Sequence, residues 1–327
     1  MSTPPTFAAL GLSESLLLAL ADLGYEEPTP VQAEAIPLLL AGRDLIAQAQ
    51  TGTGKTAAFA LPIVQGLAEG AKAGRAPQAL VMTPTRELAM QVAEAIHSYG
   101  RRRGVVALPV YGGQPIERQL RALERGVDVV VGTPGRLLDH LRRGTLQLGG
   151  LRTVVLDEAD EMFAMGFVED IGTILEATPP ERQTLLFSAT MPGPVAGLAA
   201  AYLRDPARGT VGQAGSSAPQ IRQVCYEVGG QGKFQALARV LDYEQPEAAI
   251  VFCRTKLEVD SLGDRLVGRA YPAETLHGDL SQTQRDRVMQ RFRNGQAEIL
   301  VATDVAARGL DVEHVSHVIN YDIPHDP

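Results

Sequence analysis

Lys55 and Thr56 end an eight-residue run, Ala49 to Thr56 (AQTGTGKT), in which a cation and a hydroxyl follow two glycines. Gly52 and Gly54 let the backbone curl with its N–H groups facing one point, and such a nest on a helix N-terminus holds a polyphosphate. Lys55 then reaches the outer phosphates, and Thr56 offers its hydroxyl to a magnesium ion. Ala49 stands where the general pattern has Gly. A second run, Asp157-Glu158-Ala159-Asp160, supplies the acids that magnesium needs opposite Thr56. Asp157 is assigned to hold the ion, partly through water, and Glu158 to polarise the attacking water. Alone, four such residues are equally a solvated helix start, because Asp and Glu favour helix N-termini; the phosphate loop tips the reading toward chemistry.

These residues need particular elements behind them. The apolar run Asp44 to Ala47 leads into the loop and Ala57 to Leu61 leads out, which gives the strand, turn and helix order that the loop requires. Upstream, Leu12 to Leu23 has helical spacing and ends at Gly24. Tyr25 to Gln32 (YEEPTPVQ) contains two prolines that interrupt any helix, and a second helix is predicted over Ala33 to Leu40. Gln32 offers both a donor and an acceptor suited to an adenine edge. Downstream, strands are predicted at Gln78 to Thr83, Val105 to Tyr111, Val127 to Gly132, Thr153 to Leu156 and Leu185 to Phe187. Helices alternate with them at Arg86 to Tyr99, Ile116 to Arg125, Arg136 to Leu141, Glu158 to Phe163 and Val195 to Tyr202. Uniformly apolar strands imply helices on both faces of a parallel sheet. The acids of Asp157 to Asp160 then emerge at its carboxyl edge, where open α/β sheets bind ligands.

From Gly209 to Pro219 periodicity vanishes, so residues 1–208 are expected to form one α/β domain, 209–219 a linker and 220–327 a second, related domain without a phosphate loop. Its predicted strands are Val224 to Val228, Ala248 to Cys253, Glu274 to His277, Glu298 to Ala302 and His317 to Asp322; its clearest helices are Lys233 to Leu241, Lys256 to Val267 and Ser281 to Phe292. Cys225 and Cys253 fall in strand-like runs and are expected to be buried free thiols. The net charge of −8 argues against nucleic-acid binding through a broad basic face, so any such partner is gripped locally. No run approaches the ~18 apolar residues of a membrane span. The N-terminus lacks the pattern of a secretion signal, and a cytoplasmic protein is expected.

In chain order these residues resemble the DEAD-box RNA helicases nearly end to end. Gly24-Tyr25 with Pro28 to Gln32 is similar to the adenine-reading Q motif, with Phe7 as its upstream aromatic, and AQTGTGKT and DEAD are the two nucleotide motifs. PTREL at Pro84 to Leu88, Gly112-Gly113 and TPGR at Thr133 to Arg136 resemble the strand-gripping motifs, and SAT at Ser188 to Thr190 resembles the element joining hydrolysis to strand separation. Val251 to Arg254, His277-Gly278, Gln282 with Arg285, and Thr303 to Asp311 resemble the motifs of the second domain.

The resemblance implies two tandem RecA-like doubly wound parallel-sheet domains and an ATP- and Mg2+-dependent enzyme that locally unwinds short RNA duplexes. ATP binding would close the domains on RNA, and hydrolysis with phosphate release would reset them. It implies ATP contacts from Phe7, Tyr25, Gln32, Ala49, Gln50, Thr51, Gly52, Thr53, Gly54, Lys55, Thr56 and Asp311. RNA backbone contacts are implied for Pro84, Thr85, Arg86, Gly113, Thr133, Pro134, Gly135, Arg136, Arg254, His277, Gly278, Gln282, Arg285 and Thr303, and such contacts position without reading bases. Ser188, Thr190 and Asp160 would couple the two activities. Arg101 to Arg103 match no motif and are read as a solvated helix end. The family's next motif, an Arg-rich helix, would follow Pro327. The chain is therefore expected to be a piece of a longer helicase, its second domain incomplete and its turnover impaired, because an arginine finger contributes roughly 10³ to 10⁵ in rate. Two other readings remain open: an ATP-gated RNA clamp or annealing protein that does not unwind, and a DNA helicase or other ATPase of the same build.

Overall fold

The computed structural model describes residues 5–49, 52–68, 76–210, 221–229, 232–307 and 315–323. The chain divides into two compact units, Met1–Ser217 and Ala218–Pro327. In the first, the elements after the 3₁₀ turn Phe7–Leu10 alternate as the apolar runs require. They are α1 (Glu14–Asp22), α2 (Pro30–Leu40), β1 (Leu45–Gln48), α3 (Lys55–Gly66), β2 (Ala79–Met82), α4 (Arg86–Gly100), β3 (Ala107–Val110), α5 (Ile116–Arg125) and β4 (Val129–Gly132). There follow α6 (Pro134–Arg142), β5 (Thr153–Leu156), α7 (Ala159–Ala164), α8 (Val168–Glu176), β6 (Gln183–Ser188), α9 (Gly193–Tyr202) and β7 (Ala207–Thr210).

The seven strands form one parallel sheet in the order β3-β4-β2-β5-β6-β1-β7. Successive side chains of a strand point to opposite faces, so an unbroken apolar run feeds two cores. Leu45, Ala47, Ala79 and Val81 join a cluster with Phe59 of α3 and Ile96 of α4. Ile46, Leu80 and Met82 join one with Leu137 of α6, Ile171 of α8 and Val195 of α9. Both faces are thus covered, as the apolar strands demand.

The second unit contains α10 (Lys233–Glu244), β8 (Ala249–Cys253), α11 (Lys256–Val267), β9 (Ala273–Leu276), α12 (Gln282–Arg293), β10 (Ile299–Thr303), α13 (Asp304–Ala307) and β11 (His317–Asn320). Its described strands make a parallel sheet in the order β11-β8-β10-β9. Val251 and Cys253 face α10 and α11, whereas Ile250 and Leu300 face α12.

Several boundaries differ from expectation for identifiable reasons. The helix predicted from Ala33 begins at Pro30, because a proline at the first helical position lacks only an N–H that would be unpaired anyway. Gly209 and Thr210 belong to β7, which pairs with β1, so the first sheet extends into the expected linker; residues 211–219 lie outside those described. The strand predicted at Val224 to Val228 is absent: the segment pairs with no sheet, Val224, Tyr226 and Val228 are exposed, and Cys225 is exposed rather than buried. Cys253 is buried as expected, and burial pushes its thiol up to about 12. Glu158 caps α7 instead of lying within it, with a left-handed φ of 54°.

Candidate functional site

β1 ends at Gln48 and α3 begins at Lys55, so the loop between them lies at the carboxyl edge of the sheet. Gly54 caps α3 at φ +89°, and Gly52 has φ +79°, conformations that cost other residues energy. Space restricts Gly54 as well, since an added Cβ would lie 2.5 Å from Gln32 Nε2 and 3.0 Å from Thr29 Oγ1. Gln50 and Thr51, given ATP contacts by the sequence, lie outside the described residues, as does Asp311. Gly52, Thr53 and Thr56 retain exposure, and Ala49 is buried.

Gln32 is buried and already engaged. Its Oε1 accepts from Thr29 N at 2.9 Å, closing a capping box at the start of α2, and its Nε2 donates to Gly54 O at 3.1 Å. The amide thereby ties α2 to the phosphate loop while leaving a lone pair and one N–H for a ligand. The spacing Thr29-x-x-Gln32 is the capping-box signature, a local signal for the start of α2 that says nothing of the tie to Gly54. Phe7 is buried, with Tyr25 edge-on to it at 6.2 Å between ring centroids; Tyr25 meets Tyr99 at 6.0 Å, and their hydroxyls are 2.8 Å apart.

Lys55, Asp157 and Glu158 are all buried, and Lys55 acts electrostatically on both acids. Lys55 Nζ and Asp157 Oδ1 make no hydrogen bond within the protein. Burial pushes the Asp157 carboxyl up, and Lys55 opposes that rise. Burial, then the charge of Asp157, pushes Glu158 up to about 7. Leaving a buried ammonium and carboxylate unsatisfied is costly, and a magnesium polyphosphate would supply the partner each lacks: anionic oxygens for Lys55 and a cation for Asp157. Among the described residues no cluster of three or more His, Cys, Asp or Glu could hold a metal ion. A magnesium ion at Thr56 and Asp157 would accordingly take most of its oxygens from phosphate and water.

Asp160 accepts from the backbone N–H and the hydroxyl of Thr190, both at 2.8 Å, while Asp160 N donates to Ser188 Oγ at 3.2 Å. Ser188 Oγ donates to Thr190 O at 2.6 Å, and Ala49 N donates to Ser188 O at 3.1 Å. Burial raises the Asp160 carboxyl, but the bonds from Thr190 and Ser188 outweigh it and hold the group below its usual range. SAT therefore touches both the acidic run and the phosphate loop.

The strand-gripping candidates occupy the other half of the same edge. Pro84 is buried after β2, and Thr85 caps α4, accepting from Leu88 N at 3.2 Å. Arg86 lies over Gly113, whose φ is +82° and whose added Cβ would sit 2.7 Å from Arg86 Cζ. Thr133 caps α6 with Pro134 following it; Gly135 is exposed. Arg136 donates to Gln114 O at 3.3 Å and to Gln119 Oε1 at 3.2 Å. The strand order β3-β4-β2 followed by β5-β6-β1 thus gathers Gly113, Thr133, Arg136, Thr85 and Arg86 on one side and Asp157, Glu158, Ser188 and Lys55 on the other.

Arg103 is a correction. It donates to Val64 O, to Gln65 O at 3.1 Å and to Leu67 O at 2.9 Å, so it caps the C-terminus of the phosphate-loop helix instead of ending in solvent. Only Arg102, paired with Asp22 at 2.6 Å, and Arg101 keep the exposed character expected of this trio.

In the second unit, exposed Arg254 follows β8, Thr303 ends β10, and His277 follows β9, all at one edge of the sheet. Arg254 N donates to Asp322 Oδ2 at 3.0 Å, and Lys233 pairs with the same carboxylate. His277 is buried with Nε2 2.9 Å from Asp260 Oδ1, beside exposed Gly278. Gln282 Nε2 donates to Asp286 Oδ1 at 2.8 Å, and Arg285 Nη2 donates to Ala306 O at 3.2 Å.

Comparison with known proteins agrees with this arrangement. Residues 29–197 match the family model for DEAD/DEAH box helicases, and residues 232–327 match that for the helicase conserved C-terminal domain. The DEAD-box ATP-dependent RNA helicase CshA of Geobacillus kaustophilus is 54% identical over 322 residues, covering 98% of this chain and 68% of that protein. RNA helicase CrhR of Synechocystis is 54% identical over 98% of this chain and 64% of its own length. Among solved structures, S. cerevisiae Dbp5 bound to RNA and ADP BeF3 matches with a TM-score of 0.85 and 32% identity, covering 98% of this chain and 81% of that one. A DEAD box protein of Methanococcus jannaschii matches at 0.61 and 40% identity over 98% and 86%. The chain spans roughly two thirds of the length of these bacterial relatives. Two parallel-sheet units, a phosphate loop facing an acidic quartet, and matches across both units establish that the chain belongs to the DEAD-box family of ATP-dependent RNA helicases.

Proposed function

We propose that this chain binds MgATP in its first unit, grips RNA through backbone contacts from each unit, and uses the ATP cycle to separate short duplexes. The observation that carries the reading is the buried pair Lys55 Nζ and Asp157 Oδ1, each without a protein partner beside the phosphate loop. Lys55 and the loop N–H groups hold the outer phosphates, while Thr56 and Asp157 hold the ion. Magnesium, when bound, neutralises charge on the phosphate oxygens during transfer. Glu158, pushed up to about 7, is poised to accept a proton from the attacking water near neutral pH. Asp160 passes changes at the acidic run to Ser188 and Thr190 through its three hydrogen bonds. Gln32 and the Phe7–Tyr25 pair receive the adenine.

The RNA side is read as backbone recognition: Thr85, Arg86, Gly113, Thr133 and Arg136 in the first unit, Arg254, His277, Gln282, Arg285 and Thr303 in the second. Sequence-independent binding follows, because phosphate and sugar contacts carry no base information. Two measurements test the proposal. RNA and DNA strands of one sequence are compared for binding in the presence of an ATP analogue, and a preference for RNA is expected because 2′-hydroxyls distinguish them. Equal binding of both polymers would refute the RNA reading; ATP turnover is then measured with and without unstructured RNA, and turnover indifferent to RNA in a chain that still binds both ligands would leave an ATP-gated RNA clamp in place of duplex separation.

A further inference from the structure

Gln119 belongs to none of the recognised motifs, yet it is buried on α5 and every polar atom of its side chain is used. Its Nε2 donates to Tyr111 O at 2.9 Å, at the entry to the Gly112-Gly113 turn. Its Oε1 accepts from Arg136 Nη1 at 3.2 Å and faces His140 Nε2 at 2.9 Å. A guanidinium only donates, so the oxygen of the amide must be the atom that faces Arg136. His140 Nε2 must then carry a proton toward the same oxygen, and its Nδ1 lies 2.8 Å from the Thr145 hydroxyl, whose single proton is also within reach of His140 O at 3.1 Å. In the neutral imidazole the hydroxyl gives that proton to Nδ1. Burial, then the Arg136 guanidinium, lowers the His140 pKa and favours this form.

We infer that Gln119 is a positioning residue that holds Arg136 and the Gly112-Gly113 turn in register for one RNA strand, with neutral His140 fixing the direction of its amide. The inference rests on the RNA reading of Arg136 given above. Arg136 has a long stem and several rotamers; a fixed acceptor removes that freedom before RNA arrives, so less entropy is lost on binding. Arg136 also donates to Gln114 O, which follows the glycine pair, so turn and guanidinium are tied at two points.

The test uses the 327-residue chain and a single-stranded RNA with an ATP analogue. Gln119→Met keeps the volume but offers neither donor nor acceptor, and Gln119→Glu keeps an acceptor for Arg136 and His140 while losing the donor to Tyr111 O. The expected order is loss of RNA affinity on the order of tenfold in Gln119→Met, from one hydrogen bond to a charged group, with a smaller loss in Gln119→Glu. ATP affinity is unchanged in both. If Gln119 only fills space, the order reverses: the isosteric Met is tolerated and the buried Glu is not. A thermal melt of each variant checks folding, and Gln119→Glu carries the test if Gln119→Met does not fold. Arg136→Ala separates the two levels. Should Arg136→Ala leave RNA affinity intact, the RNA reading of Arg136 fails; should it weaken binding while Gln119→Met weakens it further by the same factor, Gln119 acts elsewhere and the inference is overturned. No added effect of Gln119→Met in the Arg136→Ala background supports it.

Discussion

Glu158→Gln should make the nucleotide-free protein more stable while removing its ability to hydrolyse ATP. Glu158 is buried beside Asp157, with Asp160 and Glu161 adding like charge, and these push its carboxyl from 4.5 to about 7. An acid raised in the folded state costs stability once it must ionise, and the cost grows as pH rises from the unfolded value to the folded one. Above pH 7 the full difference applies, about 3 kcal/mol at ~1.4 kcal/mol per pKa unit, reduced to about 2–3 kcal/mol by solvent screening. Near pH 5.5 the folded carboxyl is protonated and the unfolded one only partly pulls the equilibrium, which leaves about 1 kcal/mol. Gln at this position carries no charge at any pH. Calorimetry without nucleotide or Mg2+ should therefore place the first unit's transition about 4–12 °C higher in Glu158→Gln near pH 8 and only ~2–4 °C higher near pH 5.5. Equal transitions at the higher pH would mean that Glu158 ionises freely in the folded state. A gain that grows toward acid would reverse the sign of the argument.

Lys55→Ala should weaken ATP binding by more than about tenfold in calorimetry, since it removes a charged donor from the phosphates; affinity retained would place the polyphosphate elsewhere. In Ser188→Ala with Thr190→Ala, the bonds that both hydroxyls donate and the one that Ser188 Oγ accepts from Asp160 N are lost, and duplex separation should fall by more than about tenfold while RNA-stimulated ATP turnover stays within a few-fold. Arg103→Ala uncaps α3 and should destabilise the protein by about 1–2 kcal/mol in denaturant titration with ATP affinity unchanged; no loss would mean that water replaces the guanidinium freely. Gly113→Ala puts a side chain at φ +82° against Arg86, at a strain of roughly 1–2 kcal/mol, and should lower RNA affinity selectively.

What the sequence conveyed followed the strength of its periodic signals. Thr153–Leu156 and Lys256–Val267 begin and end where their apolar patterns and caps place them, because Thr255 closes a capping box and β5 is apolar throughout. α8 has no counterpart among the predicted helices: Val168, Ile171, Ile174 and Leu175 have helical spacing, but they follow so closely on α7 that the turn at Gly166, φ +84°, leaves little local sign of a break. Ala207–Thr210 has no apolar pattern, so no strand is predicted there and its last two residues fall in the expected linker; β7 exists as an edge strand because β1 offers an unpaired ladder. The opposite error at Val224 to Val228 has the same root, since β-branched residues make a strand only where a partner strand is free. Within the site, motif spacing brought out Lys55, Asp157 and Glu158. The tie from Gln32 to Gly54 and the cap from Arg103 join residues 22 and 36–39 positions apart, and contacts of that range leave no local trace.

The order of strands in the first sheet also bears on how such a protein can be altered. β3-β4-β2 carries the turns proposed to meet RNA, β5-β6-β1 carries those proposed to meet nucleotide, and a single ladder, Val81 opposite Val155 at its middle, joins the two groups. Each group is a contiguous block in space, and the first is also continuous along the chain, with β2 to β4 inserted between β1 and β5 of the second. Loops after β2, β3 and β4 can therefore be exchanged with those of a relative as one cassette, retuning which polymer is held, while the fuel-burning block and its core are left untouched.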